Sequence, residues 1–466
     1  MADNKSEMQA LAEKILVQKK PAASKLDKKQ TTTFAQGYKT FITENKTERE
    51  IISSVKHAAK KAGYKDLKET EQLQTGGKYY REDHNKNLAL ITYNGLETIH
   101  AIASHADSPC LHLKPYPLAE SQKLAVLKTH YYGGIKKYQW LNIPLSLRGV
   151  AYTSNGEQIT FTLGDNPQDP VFTIPDLLPH LARDQLQKEA KKLVEGEQLN
   201  ALIGSDEVDD DKISEKAKLA VAKHLHEEYG LIEEDLVSAE LMLVPAGPAR
   251  DVGFDRSMIS GYGHDDRSSV YTSLQALLDA KQASHTQIVA VYDKEEIGSY
   301  GKTGAQNLFF TSLIEDLIDL SGSKKRPSQV WAATKVLSAD VTSAIDPNFS
   351  DTHDSSNANY LGRGVAMEKY GGGGGKYSTS DADAEFIHAL KTLFNDQEVP
   401  WQTGENGKID LGGGGTIAMF LARWGADVID IGIPVLAMHA PFEIAHKADL
   451  YSAYKAYKVF LEHELA

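Results

Sequence analysis

Cysteine is almost absent from this chain. Cys110 is the single one among 466 residues, so no intrachain disulfide can form. A secreted chain of this length would commonly carry several, which points to a reducing compartment. A basic excess is also lacking. Lys and Arg number 51 against 64 Asp and Glu, a formal net charge of −13. That balance argues against a general nucleic-acid binder, because no surplus of cations exists to neutralise phosphates. Long apolar runs are missing, and no stretch approaches the roughly 20 residues that a membrane helix needs. The first residues, MADNKSEMQALAEKILVQKK, scatter charges among apolar side chains and lack the unbroken apolar core of a secretion signal. No fixed-period repeat occurs. The expectation is a soluble, cytoplasmic protein with neither nucleic acid nor membrane as partner.

What is present fits a globular chain: 41% hydrophobic and 25% charged residues. The length calls for two domains, or three. Residues 1–30 are Lys-rich and weakly amphipathic, and form an N-terminal extension with room for one helix. A second helical pattern covers roughly 34–62. The first clear strand is Thr98–Ser104, ending at His105-Ala106-Asp107. From about 115 to 245 the texture changes to short alternating segments such as QITFTL (158–163), punctuated by turn signals. Residues 116–244 are therefore expected to form a β-rich domain inserted between 31–115 and 245–466. The acidic run Asp206–Asp211 within it reads as a solvated loop.

After 250 an α/β rhythm returns. Val270, Leu274, Leu277 and Leu278 fit one helix face. The apolar run Gln287–Tyr292 ends in Asp293-Lys294-Glu295-Glu296, Val330–Ser338 ends at Asp340, and Asp427–Met438 ends at His439. A final helix places Leu450, Ala453, Tyr454, Tyr457 and Leu461 on one side. Strands alternating with helices predict an α/β domain with a mostly parallel sheet flanked by helices. Two glycine runs stand apart from this rhythm. Gly371–Gly375 lacks the Ser or Thr that a phosphate-binding loop needs after its Lys, so it reads as a mobile loop. Gly412–Gly415 precedes a helix-like stretch and suits either a structural turn or a close backbone approach to a ligand.

Four polar clusters sit just after apolar strand-like runs: His105-x-Asp107, Glu295-Glu296, Asp340 and His439. In open α/β sheets the ligand site lies beyond the carboxyl ends of the strands, where residues distant in sequence converge. Singly, each has a plainer reading: a structural histidine, a solvated Glu pair, or, for Asp265-Asp266, a helix cap. Together they make a set of imidazoles and carboxylates suited to zinc, cobalt or manganese. A carboxylate can bridge two such ions about 3.5–4 Å apart, and a neighbouring non-ligating Glu can take a proton from an activated water. The pair Glu295-Glu296 could offer one ligand and one base. Asp107 could fix the tautomer of His105. The patterns alone leave both readings open.

The segments SHADSPCLHLKP (104–115), GHDDRSS (263–269), YDKEEIGS (292–299), SADVTSAIDPN (338–348), GGGGTIA (412–418) and LAMHAPFE (436–443) occur in that order. In this they resemble the aspartyl aminopeptidase and vacuolar aminopeptidase I family of dinuclear zinc peptidases, over about 34–460. The resemblance implies a metal-dependent aminopeptidase with two divalent ions per subunit. It puts His105, Asp265 and Asp340 on one ion and Asp265, Glu296 and His439 on the other. It makes Glu295 the general base and Asp107 the residue that orients His105. It implies a cis peptide bond between Asp265 and Asp266. It also implies that the inserted domain serves oligomerisation, that His180 in LLPHLAR reaches a neighbouring subunit's site, and that the chain forms a dodecamer built from dimers and acting on short peptides. Acid-selective relatives carry a histidine shortly after the residue matching Asp340. Here Val341, Thr342 and Ser343 stand there, so a preference for acidic N-terminal residues and a broader one both stay open. A related carboxypeptidase or deacylase, or a non-catalytic metal-stabilised scaffold, are the competing functions. Cys110 and His100, His112, His264, His353 and His446 are expected to be structural.

Overall fold

A computed structural model describes residues 7–17 and 20–465. Within the N-terminal extension a helix covers Glu7–Ile15, while residues 1–6, 18 and 19 lie outside the described residues. The rest is built on three sheets.

The largest sheet has nine strands. Its centre runs Thr286–Tyr292, Ile99–His105, Thr334–Ser338, Asp427–Gly432, all mutually parallel. The first two are buried along their whole length, as expected for strands covered on both faces. Alternation along each strand sends side chains to opposite sides. Leu88, Leu90 and Ile102 join one core, and Ala89, Ile91, Ala101 and Ala103 join the other. The first core is completed by helices Lys28–Glu44, Glu48–Lys61, His264–Asp279, Ala384–Asp396 and Lys447–Glu462. The second is closed by Phe309–Ser321, Pro327–Trp331 and Ala418–Ala422. The fold is α/β with a mostly parallel central sheet, as predicted.

Several elements differ from the sequence reading. The single helical pattern over 34–62 is two helices, because Thr47 caps the second. Its side chain accepts the N–H of Glu50 while the Glu50 carboxylate accepts the N–H of Thr47, a reciprocal capping box. Two further strands, Gly77–Asp83 and Asn87–Tyr93, form an antiparallel hairpin on the sheet's flank. The run Asp427–Met438 is broken. Its first part stays in the central sheet, while Pro434–Leu436 joins a separate five-stranded sheet with Arg250–Val252, Met258–Gly261, Thr342–Ser343 and Glu443–His446. In Val330–Ser338 the strand starts only at Thr334, after the short helix Pro327–Trp331.

The glycine runs pack on each other. The Gly372 N–H donates to the Gly414 carbonyl at 2.8 Å. Gly413 has φ +117, and a Cβ there would run into the Gly372 carbonyl oxygen. Close backbone contact between the two runs explains the glycine at that position.

A six-stranded sheet runs Gln158–Leu163, Leu145–Tyr152, Glu240–Pro245, Cys110–Ser121, Leu124–Tyr132, Asn200–Gly204, antiparallel throughout. It has its own apolar core around Trp140, Phe161 and Leu243. Its first strand begins at Cys110, earlier than 116. This lobe is latched to the first through Lys46. The buried ammonium donates to Asp165 at 2.6 Å and to the carbonyls of Pro245 and Gly247. Arg148 joins Asp165 and Glu50 in the same network.

Candidate metal centre

Three parallel strands end side by side. Tyr292 is the Cα partner of His105, and Ser338 that of Ala103. The residues that follow them, Glu295 and Asp340, therefore share the carboxyl edge of the sheet with His105. The five-stranded sheet supplies the rest. Gly261 pairs with Glu443, which sets Asp265, at the start of its helix, against the loop carrying His439. The Asp265–Asp266 peptide bond is cis.

Two donor groups result: His105, Asp265 and Asp340, and Asp265, Glu296 and His439. The Nε2 of His105 lies 3.2 Å from Asp265 Oδ1 and 3.6 Å from Asp340 Oδ1. The Nε2 of His439 lies 3.1 Å from Asp265 Oδ2 and 3.4 Å from Glu296 Oε2. Ligands at about 2.0–2.1 Å from a tetrahedral zinc are about 3.3 Å from one another. The two oxygens of Asp265 thus face two different groups at coordination spacing. His105 Nε2, Asp265 Oδ1 and Glu296 Oε1 are buried without a hydrogen-bond partner. Buried polar atoms are nearly always partnered, so these three fit metal ligands well.

Electrostatics agree. Burial and the nearby Asp265 charge push Glu296 well above the usual carboxylate range. Burial also raises Asp340. Asp265 resists its own burial and is held below that range by His105 and His439. Burial works against an imidazolium at His439, yet Asp265 and Glu296 draw it up to about 10. So many carboxylates around two imidazoles form a charge arrangement that divalent cations balance.

Glu295 sits beside both groups, its Oε2 3.9 Å from His105 Nε2. Burial, against the pull of His105, pushes its carboxyl up to about 8. The Nδ1–H of His105 donates to the main-chain carbonyl of Asp107 at 3.1 Å, and the Asp107 carboxylate lies 3.3 Å from the same nitrogen. That carboxylate also accepts the N–H of Glu295 (3.1 Å) and Glu296 (3.2 Å) and the hydroxyl of Tyr132 (2.7 Å). The Nδ1–H of His439 donates to the Gly134 carbonyl at 2.8 Å. One buried carboxylate escaped the sequence reading. Glu443 accepts the N–H of Asp265 at 3.0 Å and that of His439 at 2.7 Å. It closes the motif segment LAMHAPFE, whose position beside His439 is the signal that marks it. Tyr132 and Gly134 left none, because they belong to the second lobe. His180 is not brought to the cluster. It is exposed on the turn Pro179–Leu181 of that lobe.

The family model for the aminopeptidase I zinc metalloproteases, M18, matches residues 41–461. The chain belongs to the M18 family. It is 44% identical over 460 residues to a probable M18 family aminopeptidase 1 of Clostridium acetobutylicum, covering 96% of this chain and 99% of that protein. The crystal structure of an M18 aminopeptidase from Thermotoga maritima superimposes with a TM-score of 0.93 at 41% identity, covering 96% and 99% of the two chains. The S. cerevisiae mApe1 dodecamer shares the fold at 22% identity, with a TM-score of 0.73 and 92% and 96% coverage. This M18 chain is a metal-dependent aminopeptidase. Among its described residues no helix is long and apolar enough to cross a membrane.

Two of the histidines expected to be structural in this M18 enzyme, His264 and His100, have such partners. His264 meets the Tyr38 hydroxyl at 2.7 Å, and the Nδ1–H of His100 donates to the Phe460 carbonyl at 2.8 Å. Cys110 is buried against the Met242 thioether.

Proposed function

We propose that the enzyme uses two divalent ions, zinc first, held by His105, Asp265 and Asp340 and by Asp265, Glu296 and His439, with Asp265 shared. The observation that carries this reading is the pair of donor groups meeting at the two oxygens of one buried Asp. Bound there, the ions would polarise the scissile carbonyl and acidify the attacking water. Glu295 would accept a proton from that water and deliver it to the leaving amine nitrogen. Asp107 holds His105 by Nδ1, leaving Nε2 free to ligate.

The test is Glu295→Gln. The variant should keep its metals and lose about 100- to 10,000-fold in kcat. Unchanged turnover would remove Glu295 as the base. The free α-amine is checked with an aminoacyl anilide and its N-acetylated form, of which only the first should be cleaved.

We further assign a homo-oligomer, a dodecamer built from dimers by analogy with the yeast neighbour, working on short peptides in the cytoplasm. In it the lobe 116–244 would form contacts and His180 would approach a neighbour's site. The exposed position of His180 supports a role between subunits. His180→Ala should lower activity while leaving metal content intact. The neutral side chains of Val341, Thr342 and Ser343 favour a broad choice of N-terminal residue. A panel of aminoacyl substrates showing sharp selection for Asp or Glu would overturn that choice.

A further inference from the structure

We propose that Glu443 is a positioning residue of the metal centre, a clamp that sets the Asp265 and His439 loops for one of its two ions. This rests on the dinuclear reading of the site. Glu443 is 1% exposed and opens the strand Glu443–His446, whose pairing with Met258–Gly261 fixes its place. One oxygen accepts the N–H of Asp265 and the other the N–H of His439. Two ligands from distant parts of the chain are thereby tied to one rigid side chain. Both oxygens are occupied by N–H donors, and Glu443 belongs to neither donor group. It is therefore a support and not a ligand.

The loop it holds needs holding. Ala437 has φ +56 and His439 φ +65, a left-handed conformation disfavoured for any residue with a Cβ. The His439 ring is anchored to Gly134, and its backbone to Glu443. With both anchors in place, Nε2 faces Asp265 and Glu296. The other end of the clamp works with Ser108, whose hydroxyl donates to the Asp265 carbonyl at 2.5 Å.

The chemistry of the clamp is specific. It requires two acceptors. A glutamine has nearly the same shape but turns one oxygen into an NH₂ group that faces an N–H. An aspartate keeps both acceptors on a shorter stem. The clamp also acts unevenly. It touches Asp265, which both groups share, and His439, which belongs only to the group with Glu296, so that group depends on it more.

Glu443→Gln and Glu443→Asp, prepared metal-free, are dialysed against zinc with the bound metal quantified, and titrated with cobalt(II) while its visible bands are followed. The wild type should take two equivalents. Glu443→Gln should bind the ion held with His439 about 10- to 100-fold more weakly and lose less affinity for the other, as expected when the support of a ligand is lost. Glu443→Asp should fall between. With an aminoacyl anilide, kcat should drop while KM holds. Metal-free wild type and Glu443→Asp should melt together, because the defect lies in ion binding and not in the fold. If the Gln variant fails to fold, the Asp variant decides. Two equivalents at wild-type affinity in the folded variants, or equal weakening of both ions, would overturn the clamp. A wild type that takes fewer than two ions would instead overturn the dinuclear reading.

Discussion

Asp107 shows how much of a metal centre depends on groups that need not touch the metal. Its carboxylate fastens the backbone of Glu295 and Glu296 and faces His105 Nδ1, so it sets a base and two ligands together. Asp107→Asn turns one acceptor into a donor against this ring of N–H and O–H groups. Metal affinity and kcat should each fall about 10- to 100-fold, measured by metal titration and by anilide hydrolysis. Wild-type values for both would show that His105 needs no such support. A second residue-scale effect concerns pH. His100 is buried, its ring centroid 3.9 Å from that of His285 in a tilted arrangement, and its Nε2 has no hydrogen-bond partner. Burial and then His285 lower it from 6.5 to about 3. The folded state thus binds fewer protons than the unfolded chain between those values. The stability contribution is present above pH 6.5 and is lost as pH falls towards 3. By pH 5 the loss is about 2 kcal/mol. Urea titrations from pH 7 to 5 should show it, and His100→Gln should flatten the slope. A slope unchanged in the variant would assign the acid limb elsewhere.

At the scale of elements, the break between Lys28–Glu44 and Glu48–Lys61 is informative. The amphipathic pattern runs on through it, and only the capping box at Thr47 and the burial of Lys46 explain the stop. The same turn carries the latch between lobes. Lys46→Met leaves Asp165 with Arg148 alone and the carbonyls of Pro245 and Gly247 without this donor. Each buried acceptor left without its donor costs about 1–3 kcal/mol. Thr47→Ala loses only a cap, about 1 kcal/mol. Thermal melts should rank the two variants in that order, and the reverse order would show that the latch is ornamental. The hairpin Gly77–Asp83 with Asn87–Tyr93 escaped the sequence reading for a related reason. The strand GKYYRED is polar along much of its length and draws its place from pairing with Asn87–Tyr93, which itself lies against Thr286–Tyr292.

For the molecule as a whole, the site joins parts that are independent in sequence. The central sheet brings His105, Glu295, Glu296 and Asp340. The five-stranded sheet brings Asp265 and His439, and the second lobe reaches in with Tyr132 and Gly134. Ions bound across these parts stabilise the folded state by mass action, about 2.7 kcal/mol at a hundredfold excess over Kd. Chelation should therefore abolish activity and lower the melting temperature, with zinc restoring both. Activity that survives full metal removal would exclude the mechanism.

The sequence alone determined the class of chemistry and most of its carriers. Apolar runs such as Thr286–Tyr292 announce buried strands, and polar residues just past their ends announce a site, because both signals are local. Composition and motif order extend that to a family. The tertiary structure alone decided which oxygens face which nitrogens, that Glu443 holds Asp265 and His439 together, and that the two glycine runs support each other. Those are contacts between residues far apart along the chain, set by sheet register and lobe packing. No periodicity or spacing records them.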